Sequence, residues 1–312
     1  MINISYTESS QLENSLRKID ALRKDVLLTI LSPKNEVRFR WQASVERVFW
    51  SLALSDTPIV RGEIVKILKE AGQKKPLSSF QKDVLLYKKA LDHISQEWLA
   101  SQNAVSLKNV IFLSQIISYG KLNIKADSLR SSLAYFETSN EHPVIQAGLI
   151  HYQIFALSPS TGRNTRFSSL LSYLFLYKEG YDFRGLLVLD EYFRRNFTDY
   201  QLTLEGAVSS KAQTLWLEFF AKAVQGSLEK ALGQIAENRI RSETLSSNLD
   251  LNERQKEILT LLENPEATIT NRYVQKLFKV SQITASRDLA KLASLLLIFG
   301  HGKGRSVYYT RV

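Results

Sequence analysis

Residues 251–312 carry the pattern that leaves this chain the fewest ways to fold. Three short amphipathic stretches follow one another, and a glycine-rich basic segment between apolar ends comes last. The first stretch, Leu251 to Leu262, puts Leu251, Ile258, Leu259 and Leu262 on one side of a helix. Asn264-Pro265 ends it, because a proline disfavours helical backbone in the residue before it. Thr270 is placed to cap a second helix running to Phe278, with Tyr273, Val274 and Leu277 facing inward. Lys279-Val280 turn the chain, and Ser281 caps a third helix. There Ala285, Leu289, Leu292 and Leu296 recur at helical spacing as a buried stripe. Gln282, Ser286 and Arg287 take the opposite face, with Lys291 further along. From Phe299 to Tyr309, Gly300, Gly302 and Gly304 alternate with His301, Lys303 and Arg305, which predicts a hairpin with a flexible basic tip.

Helix, helix, short turn, helix and basic hairpin is the order of a winged helix-turn-helix. In such a module the early residues of the third helix meet base edges in the major groove. The expected base-facing set is Gln282, Thr284, Ser286, Arg287 and Lys291, while Lys303 and Arg305 on the wing reach phosphates. Charge agrees. The net charge is +10, and residues 251–312 hold ten Lys or Arg against five Asp or Glu. A polyanion is the natural partner for such a segment, so duplex DNA is expected, bound as a homodimer on a palindrome or as a monomer. A winged helix used only for protein contact fits the same pattern.

The rest of the chain reads as mainly α. Six prolines and thirteen glycines in 312 residues are few, and helical spacing dominates over alternation. Residues 14–38 and 76–118 read as helices, 206–238 as one or two more, and the Ser-rich segment 241–250 as a linker. The expected division is N-terminal helices at 1–110, a core at 111–240, the linker, and the module at 251–312. No apolar run reaches the eighteen residues of a membrane span. The polar start of the chain does not read as a signal peptide, so a cytoplasmic location is expected. The absence of cysteine excludes disulfides, thiolate metal sites and cysteine nucleophiles. The four histidines lack metal-ligand spacing, and no metal site is expected.

A second informative stretch spans residues 143–180. Pro143 to Leu157 reads as one apolar helix, a break follows over 158–162, and a new helix starts near Arg163 with Phe167, Leu170, Leu171, Leu174 and Phe175 as its stripe. Arg163 and Arg166 sit in that helix's first turn, where the dipole disfavours cations. An anionic partner accounts for them, as does pairing with acids of the same chain.

His142-Pro143, Ala147, His151-Tyr152-Gln153, Pro159 and Gly162-Arg163-x-x-Arg166 resemble the core of a Fic domain, which reads roughly His-Tyr-Gln-Phe-x-x-Ile-His-Pro-Phe-x-Asp-Gly-Asn-Gly-Arg-x-x-Arg. Tyr192-Phe193, Asn196, Tyr200 and Trp216 to Phe220 look like later Fic helices. Ser281, Thr284-Ala285, Arg287 to Leu289 and Leu292 look like the winged helix that ends many bacterial Fic proteins. The resemblance covers roughly residues 40–312. It implies a helical Fic-like bundle followed by a small α+β winged-helix domain. It also implies transfer of AMP from ATP to a protein hydroxyl with Mg²⁺, and a protein partner for the Fic-like part. Gly162, Arg163 and Arg166 are then expected to cradle phosphates, and Asn196 and Tyr200 to line an adenine pocket.

The chain departs from the Fic pattern where the chemistry lives. Ser158 stands where the catalytic histidine belongs, the loop is three residues shorter, and the metal-binding acid and the Gly-Asn-Gly turn have no counterpart. A general base is worth roughly 10²–10⁴-fold, which a serine hydroxyl does not supply unaided. His151 is expected to be structural. Residues 120–141 read as a helix, leaving little room for the flap that aligns a Fic target. The inhibitory-helix pattern of the family is nearest at Gln42 to Arg47, so Glu46 is expected to contact Arg166. The expected function is therefore a DNA-binding, transcription-regulating protein whose Fic-like domain has lost catalysis, with no cofactor required. An AMP transferase using ATP and Mg²⁺ through an unusual site, and a nucleotide sensor without turnover, stand as alternatives.

Overall fold

The computed structural model describes residues 4–55, 59–70, 76–117, 126–157, 162–248, 251–262, 267–295, 297–302 and 307–311. Fourteen α-helices and one small sheet appear among the described residues, so the protein is mainly α. The chain forms two compact units, Met1–Gln234 and Ile235–Val312, and the N-terminal helices belong to the same unit as the central ones. Among the described residues no helix is long and apolar enough to cross a membrane.

The first unit is built around the pair α7 (Pro143–Leu157) and α8 (Gly162–Lys178), which pack along their lengths. Leu149, Ile150, Phe167, Leu170, Leu171 and Leu174 between them are fully buried. Gly148 on α7 lets α11 (Thr214–Asn248) press in, because a Cβ there would lie 2.8 Å from the Leu217 side chain. Trp216 of α11 donates its indole N–H to the Gly148 carbonyl at 2.7 Å. Around this pair stand α1 (Ser10–Leu28), α2 (Pro33–Leu54), α3 (Arg61–Lys69), α4 (Ser79–Glu97), α5 (Leu107–Ile117), α6 (Ala126–Thr138), α9 (Leu189–Arg195) and α10 (Phe197–Ser210).

Three expectations need correction. The stretch read as helical over 14–38 is broken, because Ser32 caps α2 and Pro33 takes its first turn, where the missing N–H costs nothing. The stretch 76–118 is likewise two helices, α4 and α5. The segment 241–250, read as a linker, is helical as far as Asn248.

Before α1, residues 5–9 lie against the start of α11. The Ser5 N–H donates to Gln213 Oε1 at 2.7 Å, Gln213 N–H donates back to the Ser5 carbonyl at 2.8 Å, and Thr7 N–H donates to Thr214 Oγ1 at 2.9 Å. The Ser9 hydroxyl completes the seam on Glu218.

The second unit contains α12 (Glu253–Leu261), α13 (Asn271–Phe278) and α14 (Gln282–Ser294) beside a three-stranded antiparallel sheet of order β1-β3-β2. The strands are β1 (Ile269–Thr270), β2 (Ile298–His301) and β3 (Tyr308–Arg311), with Ile269 opposite Tyr309 and Gly300 opposite Tyr309 on the other edge. Leu251, Ile258, Leu262, Ile269, Val274, Ala285, Leu289, Leu292 and Ile298 form its core. Thr270 and Ser281 cap α13 and α14 by accepting from the N–H groups three residues on. Leu251 lies before α12 rather than in it, since Asn252 is the cap. Tyr273 and Leu277 do not face inward; both are about half exposed, because an eight-residue helix buries one stripe and Val274 with Phe278 occupies it. Leu296 lies outside the described residues.

Candidate functional site

In the first unit several polar residues of α7 and α8 are turned inward; His151, Ser172 and Tyr200 satisfy one another, while Gln153 is buried without a side-chain hydrogen bond among the described residues. His151 is fully buried, with Nδ1 3.0 Å from the Ser172 hydroxyl and Nε2 2.9 Å from the Tyr200 hydroxyl. Phe193, Tyr200, Trp216 and Phe220 surround its ring. Burial pushes its pKa down to about 3, so the ring stays neutral. With both nitrogens occupied and no exposure, it cannot take a proton from a bound substrate. Tyr200 is 1% exposed, its hydroxyl is held by His151, and its ring stacks on Phe193 and Phe197. The expectation that it lines an adenine pocket is thus corrected: it is a core residue. Asn196 stands at the N-cap position of α10 without a side-chain capping bond and donates its side-chain N–H back to the Tyr192 carbonyl at 2.9 Å.

A second buried group lies where α2, α8 and α9 meet. The Tyr173 hydroxyl donates to Asp190 Oδ2 at 3.0 Å and accepts from the Leu189 N–H at 2.9 Å. Burial pushes Asp190 up to about 6, only partly offset by the Tyr173 hydroxyl. Next to it the chain makes a turn, Phe183–Gly185, in which Phe183, Arg184 and Gly185 all have positive φ, at 51°, 60° and 75°. Such backbone costs about 1–3 kcal/mol per non-glycine residue and persists only where surroundings enforce it. Three arginines enforce it here. Arg47 donates to the carbonyls of Leu187, at 2.7 Å, and Gly185. Arg40 donates to the Arg184 carbonyl at 3.0 Å, and Arg184 itself is held by Glu36 at 2.7 Å and the Thr29 carbonyl at 2.6 Å.

The Glu46–Arg166 contact is not formed. Glu46 pairs with Arg61 at 2.8 Å and accepts from the Trp50 indole N–H at 2.9 Å. Arg166, mostly buried, lies 3.8 Å from Asp83 of α4. The physical reason is placement: α4 covers the start of α8, and the side of α2 that carries Glu46 faces Arg61 at the start of α3. Arg47, one residue on, is the charged member of this segment that turns into the unit, beside the buried Ala43 and Val45. Gly162 and Arg163 open α8, but the Arg163 side chain and Ser158 lie outside the described residues. Among the described residues no three His, Asp or Glu side chains stand together as metal ligands.

In the second unit the polar residues divide differently. Asp288, on the inner side of α14, is buried and accepts from Arg254 at 2.5 Å, Gln255 at 2.7 Å and Asn252 at 3.4 Å. Burial opposes its ionisation, but these three donors outweigh it and hold its pKa below the usual carboxylate value. On the outer side, Thr284 shares its hydroxyl with the cap Ser281 at 2.9 Å, and Ser286 accepts from Asn271 of α13 at 2.8 Å. Gln282, Ile283 and Arg287 are exposed, and among the described residues the Gln282 and Arg287 side chains have no hydrogen-bond or ionic partner. Lys291 is exposed one turn further on. Arg272 and Lys276 on the neighbouring helix α13, and Lys279 at its C-cap, are exposed as well. The spacing of four puts Arg272 and Lys276 on one face of α13. Lys303 and Arg305 lie outside the described residues.

No protein-family model and no curated protein matches the sequence. Solved structures do match. A Fic family protein from Desulfovibrio desulfuricans G20 superposes with a TM-score of 0.66 at 14% identity, over 99% of this chain and 98% of that one. The fold is that of Fic proteins. Fic-1 from C. elegans matches with a TM-score of 0.57 at 17% identity, over 71% of each chain. A Fic domain containing signaling protein from Bacteroides thetaiotaomicron matches at 0.51 and 15%, over 71% of this chain and 95% of that one. Within the Fic fold of this chain, the segment that resembles the Fic motif runs from the end of α7 into the first turn of α8. Of Gly162, Arg163 and Arg166, which match the end of that motif, only the Arg166 side chain is described, and it faces Asp83.

Proposed function

We propose that this chain is a DNA-binding regulator: its second unit is a winged helix-turn-helix that holds duplex DNA, and its Fic-fold unit no longer transfers AMP. The carrying observation is the outer face of α14. Gln282 and Arg287 stand exposed there without a protein partner among the described residues, and α13 with its C-cap adds Arg272, Lys276 and Lys279. A long side chain of either kind gains nothing for folding when it is left in water. A helix that buries one side on its own core and keeps the other polar and cationic is shaped for a groove. The sheet order β1-β3-β2, with the β2–β3 connection carrying Lys303 and Arg305, fits the winged arrangement.

Loss of AMP transfer rests on chemistry. A serine replaces the general base, the acid that holds the metal has no counterpart, and the loop is shorter by three residues. Losing a base and the electrostatic support of the transferred phosphate are compounding defects. The Fic-fold unit is then a scaffold for contact with another protein or with a second copy of the chain.

The test is binding of the purified chain to random-sequence duplexes by fluorescence anisotropy over a salt series. Each phosphate contact contributes about −0.9 to the log–log slope, so a slope steeper than roughly −3 is expected. Absence of binding at 50 mM salt (a roughly permissive value for such contacts) sinks the DNA reading. Incubation with labelled ATP and Mg²⁺ is expected to leave no AMP on the chain or on added protein, and transfer above background restores the enzyme reading.

A further inference from the structure

Ile283 is the anomaly of the second unit. It sits in the first turn of α14, two residues after the cap Ser281, and is 65% exposed. The core of the unit gains nothing from it, since Ala285, Leu289 and Leu292 fill the inner side of the same helix. A β-branched residue also loses rotamer freedom in a helix, so propensity does not select it there. Ile283 is in line with Arg287 one turn on, and Ala290, exposed and small, follows on the same ridge. The ridge therefore presents an apolar tip, a free guanidinium and a low step that permits close approach.

We propose that Ile283 is a specificity-determining residue that packs against the C5-methyl group of a thymine in the major groove. This rests on the DNA-binding reading above. In the major groove each base pair shows a distinct pattern, and the thymine methyl is its apolar element. Thr284 and Ser286, the neighbouring hydroxyls, are engaged within the unit, so the outward readers of the first turns reduce to Gln282, Ile283 and Arg287. The two polar ones suit base-edge acceptors or phosphates; Ile283 suits only a methyl.

The experiment starts by selecting bound duplexes from a random pool with the full chain. Each thymine of the selected site is then replaced in turn by uracil, which removes the methyl and nothing else. At one position the replacement is expected to weaken the wild-type chain about fourfold, the value of one buried methyl-sized group. Ile283→Ala is expected to bind the thymine site about fourfold less tightly and to ignore the replacement. Ile283→Val, which keeps a branched apolar tip, is expected to retain the response. Matched thermal unfolding of the three chains excludes a folding defect. If uracil weakens wild type and Ile283→Ala alike, or no thymine responds, the Ile283 proposal is overturned while the DNA reading stands. If no duplex is selected at all, both fall.

Discussion

The Fic-fold unit and the C-terminal unit use their polar residues in opposite directions. Around α7, α8 and α9 the conspicuous side chains face inward: His151 between Ser172 and Tyr200, Asp190 under Tyr173, Arg47 on the carbonyls of Gly185 and Leu187. On α14 and α13 the long side chains face out, and among the described residues Gln282, Arg287, Arg272 and Lys276 carry no partner. Asp288 is the exception that defines the rule, because it points inward and is held by three donors. A buried polar group costs stability unless it is partnered, whereas an exposed one without partners is free to meet a ligand. The same residue types that look catalytic in a sequence are structural in the first unit and available in the second.

The sharpest way to break this contrast is Arg47→Ala. It strands two buried carbonyls and releases a turn with two non-glycine residues at positive φ, so the first unit is expected to lose about 3–5 kcal/mol. Chemical denaturation read by tryptophan fluorescence checks it, since all four tryptophans precede residue 235. An unchanged midpoint would show that the inward arginine is dispensable.

Asp288→Ala comes next, with a loss of about 2–3 kcal/mol confined to the second unit, where it leaves the Gln255 amide buried without an acceptor. Because the Asp288 pKa is lowered on folding, its contribution is present above the unfolded value near 4 and fades as the pH falls through the folded one. The variant's deficit, followed by amide exchange in α12 and α14, is therefore expected to shrink in acid.

Asp190 and His151 predict opposite pH dependences in one core. Asp190 is raised to about 6, so the folded state favours its protonated form and stability drops as the pH rises from 4 through 6. His151 is lowered to about 3, so stability drops as the pH falls below its unfolded value near 6.5. Between pH 4 and 6 the two largely cancel. Asp190→Asn removes one side: it is expected to gain about 2 kcal/mol at pH 7, and the gain is expected to vanish near pH 4. Thermal unfolding at both pH values measures it, and a variant that is less stable at pH 7 would contradict the assignment.

The smallest effect on stability is expected from Arg287→Ala. Its melting temperature should match wild type within error, while duplex affinity falls by about 1–3 kcal/mol or the salt slope becomes shallower by about 1. A melting shift without a binding change would place Arg287 with the inward set.

How far the sequence could be read follows from the range of each interaction. Thr270 and Ser281 were legible as caps because a cap and its N–H lie three residues apart. The stripe Ala285, Leu289 and Leu292 was legible because helical spacing alone puts these residues on one face. Tyr273 and Leu277 misled because the same spacing does not say which of two adjacent stripes turns inward. The pairs Arg166–Asp83 and Glu46–Arg61 could not be read at all, since each depends on which helices become neighbours. Arg47 gave no local sign either: its partners are carbonyls 138 and 140 residues away in a turn whose φ values no motif announces. In the Fic-fold unit the resemblance found the architecture, and the side-chain pairing that fills it came only with the coordinates.

The seam between residues 5–9 and the start of α11 also sets an order in time. Ser5 and Gln213 are 208 residues apart, and a ribosome adding about 5–20 residues per second makes the second some 10–40 s after the first. Throughout that interval residues 5–9 exist without the helix start that receives them, and the paired bonds between Ser5 and the fully buried Gln213 form only once that helix is made. The second unit draws its core from within residues 251–298 and closes on short loops. The part made last is the part able to fold at once, while the part begun first waits longest for its closing contact.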